Sequence, residues 1–362
     1  MNKASSHNKE FYKGKRVFVT GHTGFKGAWL TQILQVLGAK ARGYALKPEA
    51  GCLFEKTAGA ELIDHIESDV RDSGKIADAL ISFEPEIVLH LAAQAIVNDC
   101  YDDPHKAYET NVMGTVNLFE AIRKCPSVKS VVIVTTDKVY ENKGDGAIYK
   151  VGDLLGGIDP YSASKTCVEY VSDSYKNSYL QTDNRMIGVA TVRASNVIAG
   201  GDHVQSRLVP SILNGFASGK PAQLRNPDQT RPWQSALDAI NGYLTIARKL
   251  HDSPLEFSGA WNIGPAKEGI CSVGEVFDRM RTFYGNSGSF ATVGKFNVRE
   301  SKTLGLDIEE SVKKLGWFPE QPLDKMLYDL TDFFKRQQRS EPERNICLRQ
   351  ISEYFEENGE LQ

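Results

Sequence analysis

A glycine-rich segment directly after a short apolar run most strongly limits how this chain can fold. Arg16-Val-Phe-Val-Thr20 is typical of a buried parallel strand, and Gly21-His-Thr-Gly24-Phe-Lys-Gly27 follows it at once. Residues 28–37 then carry large apolar side chains at helical spacing. A strand, a G-x-x-G-x-x-G turn and a helix predict a dinucleotide-binding unit, with the ligand phosphates at the helix N-terminus. A tight turn without a ligand is the alternative.

Strand and helix patterns alternate along the first 200 residues. Five more strands are predicted at residues 41–46, 66–72, 86–91, 130–135 and 187–193, with helices at 75–83, at 104–123 and from Tyr161. This alternation predicts an α/β fold: a Rossmann-type doubly wound parallel sheet with a smaller mixed α/β C-terminal substrate lobe.

Three regions are predicted from this pattern. Residues 1–12 are expected to form a flexible N-terminal tail, and residues 13–200 an NAD-binding Rossmann domain that also takes returning segments from the C-terminal half. Residues 201–362 are expected to form mainly the substrate-binding lobe and C-terminal helices, with a surface helix over residues 341–362.

The composition excludes several classes of partner. The chain has 362 residues, a hydrophobic content of 41% and a net charge of −3, with no long basic run, so nucleic acid is not expected as a partner. No window approaches 18 consecutive apolar residues and no signal peptide is recognisable, so we expect a cytoplasmic protein that does not span a membrane. The six cysteines lack metal-ligand spacing, so reduced thiols and no metal site are predicted.

Two polar motifs are candidates for chemistry. Tyr161-Ser-Ala-Ser-Lys165 places a phenol and an ammonium on one helix face, and a nearby cation is expected to lower the pKa of the phenol. Thr135-Thr136-Asp137-Lys138 follows the fifth strand, at the sheet edge where open α/β folds bind ligands. Thr136 can hold a substrate oxygen beside Tyr161, and Asp137 with Lys138 can act as an acid/base couple. A solvated Asp–Lys pair in a loop is the alternative.

Several residues leave open how the cofactor is recognised. Asp69 is placed to meet an adenine, or it merely caps its loop. No carboxylate ends the second strand, and Lys47 there leaves NADP possible beside NAD. Asn111 in an apolar helix needs hydrogen-bond partners, either structural or catalytic. His90 is expected to pack within the sheet and not to act as a base.

These motifs resemble those of the extended short-chain dehydrogenase/reductase family, and within it the CDP-glucose 4,6-dehydratase branch. The matching segments include Val19-Thr-Gly-His-Thr-Gly-Phe-Lys-Gly27, His90-Leu-Ala-Ala-Gln94, Thr136-Asp-Lys138, Asp159-Pro-Tyr-Ser-Ala-Ser-Lys165, Asn196-Val-Ile-Ala-Gly-Gly-Asp202 and Arg231-Pro-Trp-Gln234. The resemblance covers roughly residues 14–335. It implies homodimer formation through the helices at Asn111 and Tyr161, and supply of deoxysugars for polysaccharides.

The resemblance also implies the reaction and its residues. The substrate would be a nucleoside-diphosphate sugar, with CDP-D-glucose giving CDP-4-dehydro-6-deoxy-D-glucose and NAD oxidising the sugar transiently. Tyr161 would take the proton of the 4-hydroxyl, assisted by Thr136 and Lys165. Asp137 and Lys138 would share removal of the C5 proton and protonation of the leaving 6-hydroxyl, and which residue does which stays open. A 4-epimerase, a 4,6-dehydratase of another nucleotide sugar and a non-catalytic cofactor-binding scaffold are the alternatives.

The binding residues implied by the resemblance fall into two sets. The cofactor set is Gly21, Thr23, Gly24, Phe25, Gly27, Asp69, Val70, Ala92, Ala93, Gln94, Asn111, Thr135, Tyr161 and Lys165. The substrate set is Asn196, Arg207, Leu208, Arg225 and Arg231. Arg207 and Arg231 suit a diphosphate because the guanidinium forms a fixed cationic fork, although surface arginines are the alternative.

Overall fold

The computed structural model describes residues 3–144, 146–204, 207–285, 288–292 and 305–357, with side chains described between residues 8 and 355 of these ranges. The strands are β1 (Arg16–Thr20), β2 (Lys40–Ala45), β3 (Asp64–Glu67), β4 (Ile87–His90), β5 (Ser130–Val134), β6 (Ile148–Tyr149), β7 (Gln181–Thr182), β8 (Arg185–Met186), β9 (Gly188–Ala194), β10 (Asn196–Ile198), β11 (Ala222–Leu224), β12 (Thr230–Ser235), β13 (Gly259–Ile263), β14 (Ile270–Ser272), β15 (Phe290–Thr292) and β16 (Gly305–Leu306).

The α-helices form the second group of elements. They are α1 (Lys3–Tyr12), α2 (Phe25–Val36), α3 (Leu53–Lys56), α4 (Ser73–Phe83), α5 (Val97–Asp102), α6 (Pro104–Tyr108), α7 (Gly114–Arg123), α8 (Pro160–Tyr175), α9 (Leu208–Ser218), α10 (Ala236–Asp252), α11 (Pro254–Phe257), α12 (Val273–Tyr284), α13 (Leu323–Gln338) and α14 (Glu343–Glu357). None of the described helices combines the length and apolarity needed to cross a bilayer.

The centre of the molecule is a seven-stranded parallel sheet in the order β13-β9-β5-β4-β1-β2-β3. Strands β4, β5 and β9 are buried along their whole length, as expected for a parallel sheet covered by helices on both faces. The strand order reverses between β1 and β4, which opens a crevice at their carboxyl ends. The predicted fold class is confirmed.

Two apolar layers cover the sheet. Helices α2, α10 and α14 pack on one face around Trp29, Tyr243 and Trp317, which are completely buried. Helices α4, α7 and α8 pack on the other face, with Leu118 and Val168 in the core. The two layers hold the carboxyl ends of the strands, and therefore the crevice, in a fixed position.

The later part of the chain builds a smaller lobe and returns once to the sheet. Strands β10, β12 and β14 form a three-stranded sheet, and α9, α12 and α13 pack around a separate core that includes Trp233 and Phe277. Strand β13 comes from the same half of the chain and pairs with β9. The domain limits of 13–200 and 201–362 stay predictions.

The prediction of a flexible tail over residues 1–12 is wrong for residues 8–12. Tyr12 and Asn8 are fully buried, because α1 packs against α10. The Tyr12 hydroxyl donates to the Leu244 carbonyl at 2.8 Å, and the Asn8 amide donates to Asn241 Oδ1 at 2.9 Å. Residues 1–2 lie outside the described residues. The burial of Tyr12 and Asn8 depends on partners more than 230 positions along the chain, so no local pattern in the sequence predicts it.

The C-terminal surface helix predicted over residues 341–362 also needs correction. Helix α14 packs its apolar side into the main core, where Ile346, Cys347 and Ile351 are completely buried. All six cysteines are free thiols, and only Cys167 is exposed.

Candidate active site

The glycine turn after β1 has no room for a side chain at two of its three glycines. Gly21 has φ +74°, and a Cβ there would lie 2.6 Å from the Ala92 nitrogen; one on Gly27 would lie 2.2 Å from the Gly21 oxygen. Gly24 is the N-cap of α2, and it has no side chain that could cap the first N–H groups of the helix. A Cβ on Gly24 would meet only the Gly21 oxygen, at 3.4 Å, so a ligand can approach the N–H groups of α2.

The other residues predicted around this turn hold it to the neighbouring strands. Thr23 Oγ1 donates to the Leu46 carbonyl at 3.1 Å, which ties the turn to the end of β2. Phe25 begins α2 and packs against the core. Val70 is buried against Gly114 of α7. Through these contacts Thr23, Phe25 and Val70 help to build the walls of the crevice, which is a positioning role.

Asp69 takes the loop-capping arrangement that the sequence left as an alternative. Its Oδ1 accepts from the Arg71 backbone N–H at 2.9 Å, and its Oδ2 accepts from Arg71 Nη2 at 2.7 Å. The hydrogen bonds and charge of Arg71 lower the pKa of the Asp69 carboxyl. Contact of Asp69 with an adenine stays a prediction.

A buried hydrogen-bond chain positions the loop after β4. Thr115 Oγ1 donates to the Asn111 carbonyl at 2.6 Å and therefore accepts from His90 Nε2, 3.1 Å away. His90 Nδ1 then accepts from Thr20 Oγ1 at 2.6 Å, and Thr20 Oγ1 accepts from the Ala92 N–H at 3.2 Å. Burial lowers the pKa of His90 to about 3. His90 is therefore a neutral structural residue, as predicted.

Asn111 clamps the next part of this loop. It lies in a π-helical turn, Glu109–Met113, and its Oδ1 accepts from the Gln94 N–H at 2.7 Å. Its Nδ2 donates to the Gln94 carbonyl and, at 2.8 Å, to Ser164 Oγ of α8. The Asn111 amide is thus used within the protein, and it positions Ala93 and Gln94 against the helix that carries Tyr161.

Helix α8 begins with a strong local start signal, which places Tyr161 in its first turn. Asp159 accepts from the Ser162 N–H at 2.9 Å in a capping box, and Pro160 is the first helical residue. Lys165 follows one turn later and is buried. Its Nζ donates to the Val134 carbonyl at 2.9 Å, at the end of β5.

The expected lowering of the Tyr161 pKa is wrong for this structure. Burial raises the pKa of Tyr161 to about 12, opposed by a hydrogen bond with Thr136 and reinforced by the Asp137 charge. Burial and the nearby Lys26 ammonium lower the pKa of Lys165 to about 7. Desolvation is the largest cause of both shifts, since it disfavours the charged form of each group.

Asp137 differs from an ordinary loop carboxylate because its side chain is buried. Thr136 precedes a 3-10 turn, Asp137–Val139, and its hydroxyl donates to Asp137 Oδ1 at 3.1 Å. Asp137 Oδ2 is buried and has no hydrogen-bond partner among the described residues. Burial raises the pKa of Asp137 to about 6, opposed by Lys138 and Arg231. The solvated-loop alternative is wrong, since Asp137 is 1% exposed, whereas Lys138 is half-buried.

The Thr135 hydroxyl belongs to a buried hydrogen-bond network next to the 3-10 turn of Asp137. Its hydroxyl donates to Glu169 Oε1 at 2.6 Å, and Glu169 Oε2 accepts from Arg193 Nη2 at 2.9 Å. Arg193 Nη1 in turn donates to the Tyr140 hydroxyl at 2.9 Å. This buried network fixes the end of β5, and direct contact of Thr135 with a cofactor stays a prediction.

The predicted substrate residues are only partly brought together. Asn196 of β10 and Arg231 of β12 lie in the same small sheet, and Arg231 is near enough to Asp137 to lower its pKa. Arg207 is the N-cap of α9, and its Nη1 is 3.1 Å from Asp202 Oδ2. Leu208 packs against the core of the small lobe, and Arg225 follows β11.

The sequence matches the model of the NAD dependent epimerase/dehydratase family over residues 17–264. The chain belongs to this family. It is 40% identical over 352 residues to the CDP-glucose 4,6-dehydratase of Salmonella typhimurium, an alignment that covers 96% of this chain and 98% of that enzyme. It is 24% identical over 325 residues to a probable dTDP-glucose 4,6-dehydratase of Sinorhizobium fredii, covering 85% and 89% of the two chains.

Solved structures of this family have the same fold. The UDP-glucose-4-epimerase of Stenotrophomonas maltophila with bound NAD gives a TM-score of 0.78 at 20% identity, covering 90% of this chain and 100% of that one. The dTDP-glucose 4,6-dehydratase of Bacillus anthracis in complex with NAD gives 0.75 at 19% identity, covering 90% and 98%. At these identities the likeness shows the fold alone. The NADP alternative drawn from the exposed Lys47 gains no support in this NAD-dependent family.

Sequence reasoning missed two residues of the pocket. Lys26, a variable position of the glycine motif, lies 3.5 Å from the hydroxyl of Tyr243 on α10. Burial lowers the pKa of Lys26 to about 8, with Arg207 acting in the same direction and Asp137 opposing it. The only indication in the sequence was that Lys26 lies between the second and third glycines of a motif predicted to bind phosphate.

Proposed function

We propose that this protein is a CDP-glucose 4,6-dehydratase, which converts CDP-D-glucose to CDP-4-dehydro-6-deoxy-D-glucose. The observation that carries the proposal is the buried Asp137, which has an unsatisfied carboxyl oxygen and lies close enough to Tyr161 to raise the pKa of the phenol. An elimination of water needs such a proton donor, whereas a 4-epimerase does not. The near full-length likeness to the Salmonella enzyme supports the same reaction and substrate.

The residues present fit an NAD molecule. The open N-terminus of α2 at Gly24 would hold its pyrophosphate, and Gln94, Tyr161 and Lys165 would border its reactive end. When bound, NAD supplies the oxidation of the sugar at C4 and the final reduction at C6.

Tyr161 is the proposed acceptor of the 4-hydroxyl proton. Its high pKa favours a neutral phenol before substrate binds, so the phenol must first give its own proton to a base, for which we propose the neutral amine form of Lys165, whose pKa is lowered to about 7. Lys165 follows one helical turn later and contributes positive charge when protonated, while Thr136 opposes the effect of burial on the pKa of the phenol.

Asp137 is the proposed acid that protonates the leaving 6-hydroxyl. With a pKa of about 6, a useful fraction of the carboxyl is protonated near neutral pH, and its free oxygen has no competing partner among the described residues. Lys138, next to it on the same turn, is the proposed base for the C5 proton. Of the two assignments that the sequence left open, this is the one we propose.

Mass spectrometry of the reaction tests this function. The purified protein is incubated with CDP-glucose, and in parallel with UDP-, dTDP- and GDP-hexoses, with only catalytic NAD. Loss of one water from CDP-glucose without accumulation of NADH is expected. Loss of water from another donor would correct the substrate, and isomerisation without water loss would identify a 4-epimerase.

We also infer that the protein is a homodimer through the helices around Asn111 and Tyr161. Three large side chains on these helices are exposed in the single chain: Tyr108, Met113 and Tyr170. Burying such a patch would favour association. Light scattering should give twice the mass of one chain, and Tyr170→Glu should give monomers. The cytoplasmic location stays a prediction.

A further inference from the structure

The 3-10 turn Asp137–Val139 is only weakly held by its own backbone hydrogen bonds. The Val139 nitrogen lies 3.4 Å from the Thr136 carbonyl oxygen, and the Tyr140 nitrogen lies 3.5 Å from the Asp137 carbonyl oxygen. Both distances exceed the usual range of about 2.7–3.2 Å for such bonds, as is common in short 3-10 turns. Contacts from outside the turn are therefore needed to fix the position of Asp137.

Arg193 joins the two ends of this turn through buried hydrogen bonds. Its Nη2 donates to Glu169 Oε2 at 2.9 Å, and Glu169 Oε1 accepts at 2.6 Å from the hydroxyl of Thr135, which precedes the turn. Its Nη1 donates at 2.9 Å to the hydroxyl of Tyr140, which follows the turn. Glu169, Arg193 and Tyr140 are at most 6% exposed, and we call these three residues the turn clamp.

The chemistry of the partners fixes the direction of these bonds. Asn262 of β13 uses both hydrogens of its Nδ2, which donates to the carbonyls of Tyr149 and Asp307, each at 3.0 Å. Its Oδ1 therefore faces Tyr140, which donates to it at 2.6 Å and keeps a lone pair for Arg193. The planar guanidinium of Arg193 then holds its two partners at a fixed spacing, which a flexible ammonium could not do.

We propose that the turn clamp positions Asp137 to protonate the leaving 6-hydroxyl, so that Arg193 and Tyr140 are positioning residues of the elimination. This inference rests on the proposed function and adds to it two buried residues that are not proposed to bind either ligand. A fixed spacing between the residues before and after the turn leaves Asp137 little freedom to move. A displacement of about 1 Å in an active site can lower a rate by roughly 100-fold.

Steady-state kinetics of water loss from CDP-glucose test the clamp with two variants. Tyr140→Phe removes only the hydroxyl and keeps the ring, which stacks on Tyr149 with 5.2 Å between the ring centres. Arg193→Lys keeps a positive charge for Glu169 and removes the planar fork. Each variant is expected to lower kcat by about tenfold or more. KM should stay within about twofold, because the clamp acts on the transition state and not on substrate binding.

Tyr12→Phe is the matched control for the loss of a buried hydroxyl. Tyr12 is completely buried, and its hydroxyl donates to the Leu244 carbonyl at 2.8 Å in the contact between α1 and α10. Thermal unfolding should show a similar fall in Tm for Tyr12→Phe and Tyr140→Phe, whereas kcat should fall only for Tyr140→Phe. An equal fall of kcat in both variants would show a merely structural role and overturn the proposal. If Arg193→Lys does not fold, the pair of tyrosine variants decides.

A double-variant cycle with Asp137→Asn identifies the residue through which the clamp acts. In the Asp137→Asn background, Tyr140→Phe should change kcat by less than about twofold, because no acid remains to be positioned. The same loss of kcat with and without the Asp137 carboxyl would overturn the proposal.

Two results separate the clamp from the function on which it depends. A wild type that releases water from CDP-glucose, together with unchanged kcat in Tyr140→Phe and Arg193→Lys, overturns the clamp alone. A wild type that releases no water from any nucleotide sugar overturns the dehydratase function itself, and the clamp with it.

Discussion

At the residue scale, Asp137 combines burial with an unsatisfied oxygen, and both properties bear on catalysis. We expect Asp137→Asn to reduce kcat for water loss by roughly 100- to 10,000-fold, since an amide cannot deliver the proton. NAD binding should stay within about twofold, because Asp137 Oδ2 makes no hydrogen bond to the described residues. Mass spectrometry and NAD titration measure the two effects, with the exposed Asp228→Asn as control. Undiminished water loss by Asp137→Asn would contradict the acid role.

The same carboxyl makes stability depend on pH. Burial raises the folded-state pKa from 3.8 to about 6, so the group stabilises the fold below pH 3.8 and that contribution is lost as the pH rises through about 6. Asp137→Asn should therefore be more stable than the wild type at pH 8, by up to about 3 kcal/mol at 1.4 kcal/mol per pH unit. The difference should vanish near pH 4. Urea unfolding at the two pH values measures it, and an equal difference at both would show that the carboxyl does not titrate as described.

At the element scale, Glu169 joins the helix that carries Tyr161 to the end of β5. Its carboxylate accepts hydrogen bonds from Thr135, Thr191 and Arg193, all of them buried. We expect Glu169→Gln to lower the free energy of unfolding by about 3 kcal/mol, because Arg193 is left as a buried charge without its carboxylate. Denaturant unfolding of this variant and of the exposed Glu256→Gln measures the effect.

A second variant separates the ion pair from general disruption. Arg193→Met in the Glu169→Gln background removes the stranded charge, so part of the lost stability should return. A double variant that is less stable than Glu169→Gln alone would show that the network stabilises by packing and not by charge pairing.

At the scale of the whole molecule, α1 joins the N-terminus to α10, behind the sheet. Deletion of residues 1–12 removes the buried Tyr12 and Asn8 and leaves Asn241 without its donor. Loss of the Tyr12 aromatic core side chain alone should lower the unfolding free energy by at least about 3 kcal/mol. Thermal unfolding measures it, and Glu10→Gln, which changes an exposed residue of the same helix, is the control. A deletion with an unchanged Tm would mean that α1 does not stabilise the fold.

Local patterns predicted the scaffold well because their causes are local. The capping box of Asp159 and Ser162, the spacing of Tyr161 and Lys165, and the strand–glycine–helix turn each involve residues within a few positions. The return of C-terminal segments to the sheet was predicted, but the sequence did not show that β13 is the returning strand or that helix α14 is buried. Their patterns show that they are strand and helix, but their partners are decided by packing over more than a hundred residues.

The sequence by itself determined the doubly wound sheet and the glycine turn, and it predicted a catalytic set of Thr136, Asp137, Lys138, Tyr161 and Lys165. Only the tertiary structure decided the protonation of these groups and the presence of Lys26 among them. Burial raises the pKa of Asp137 and Tyr161, and the partner of Lys26 lies 217 positions along the chain. Desolvation and through-space charge depend on which distant segments pack together, and a linear pattern of residues does not contain that information.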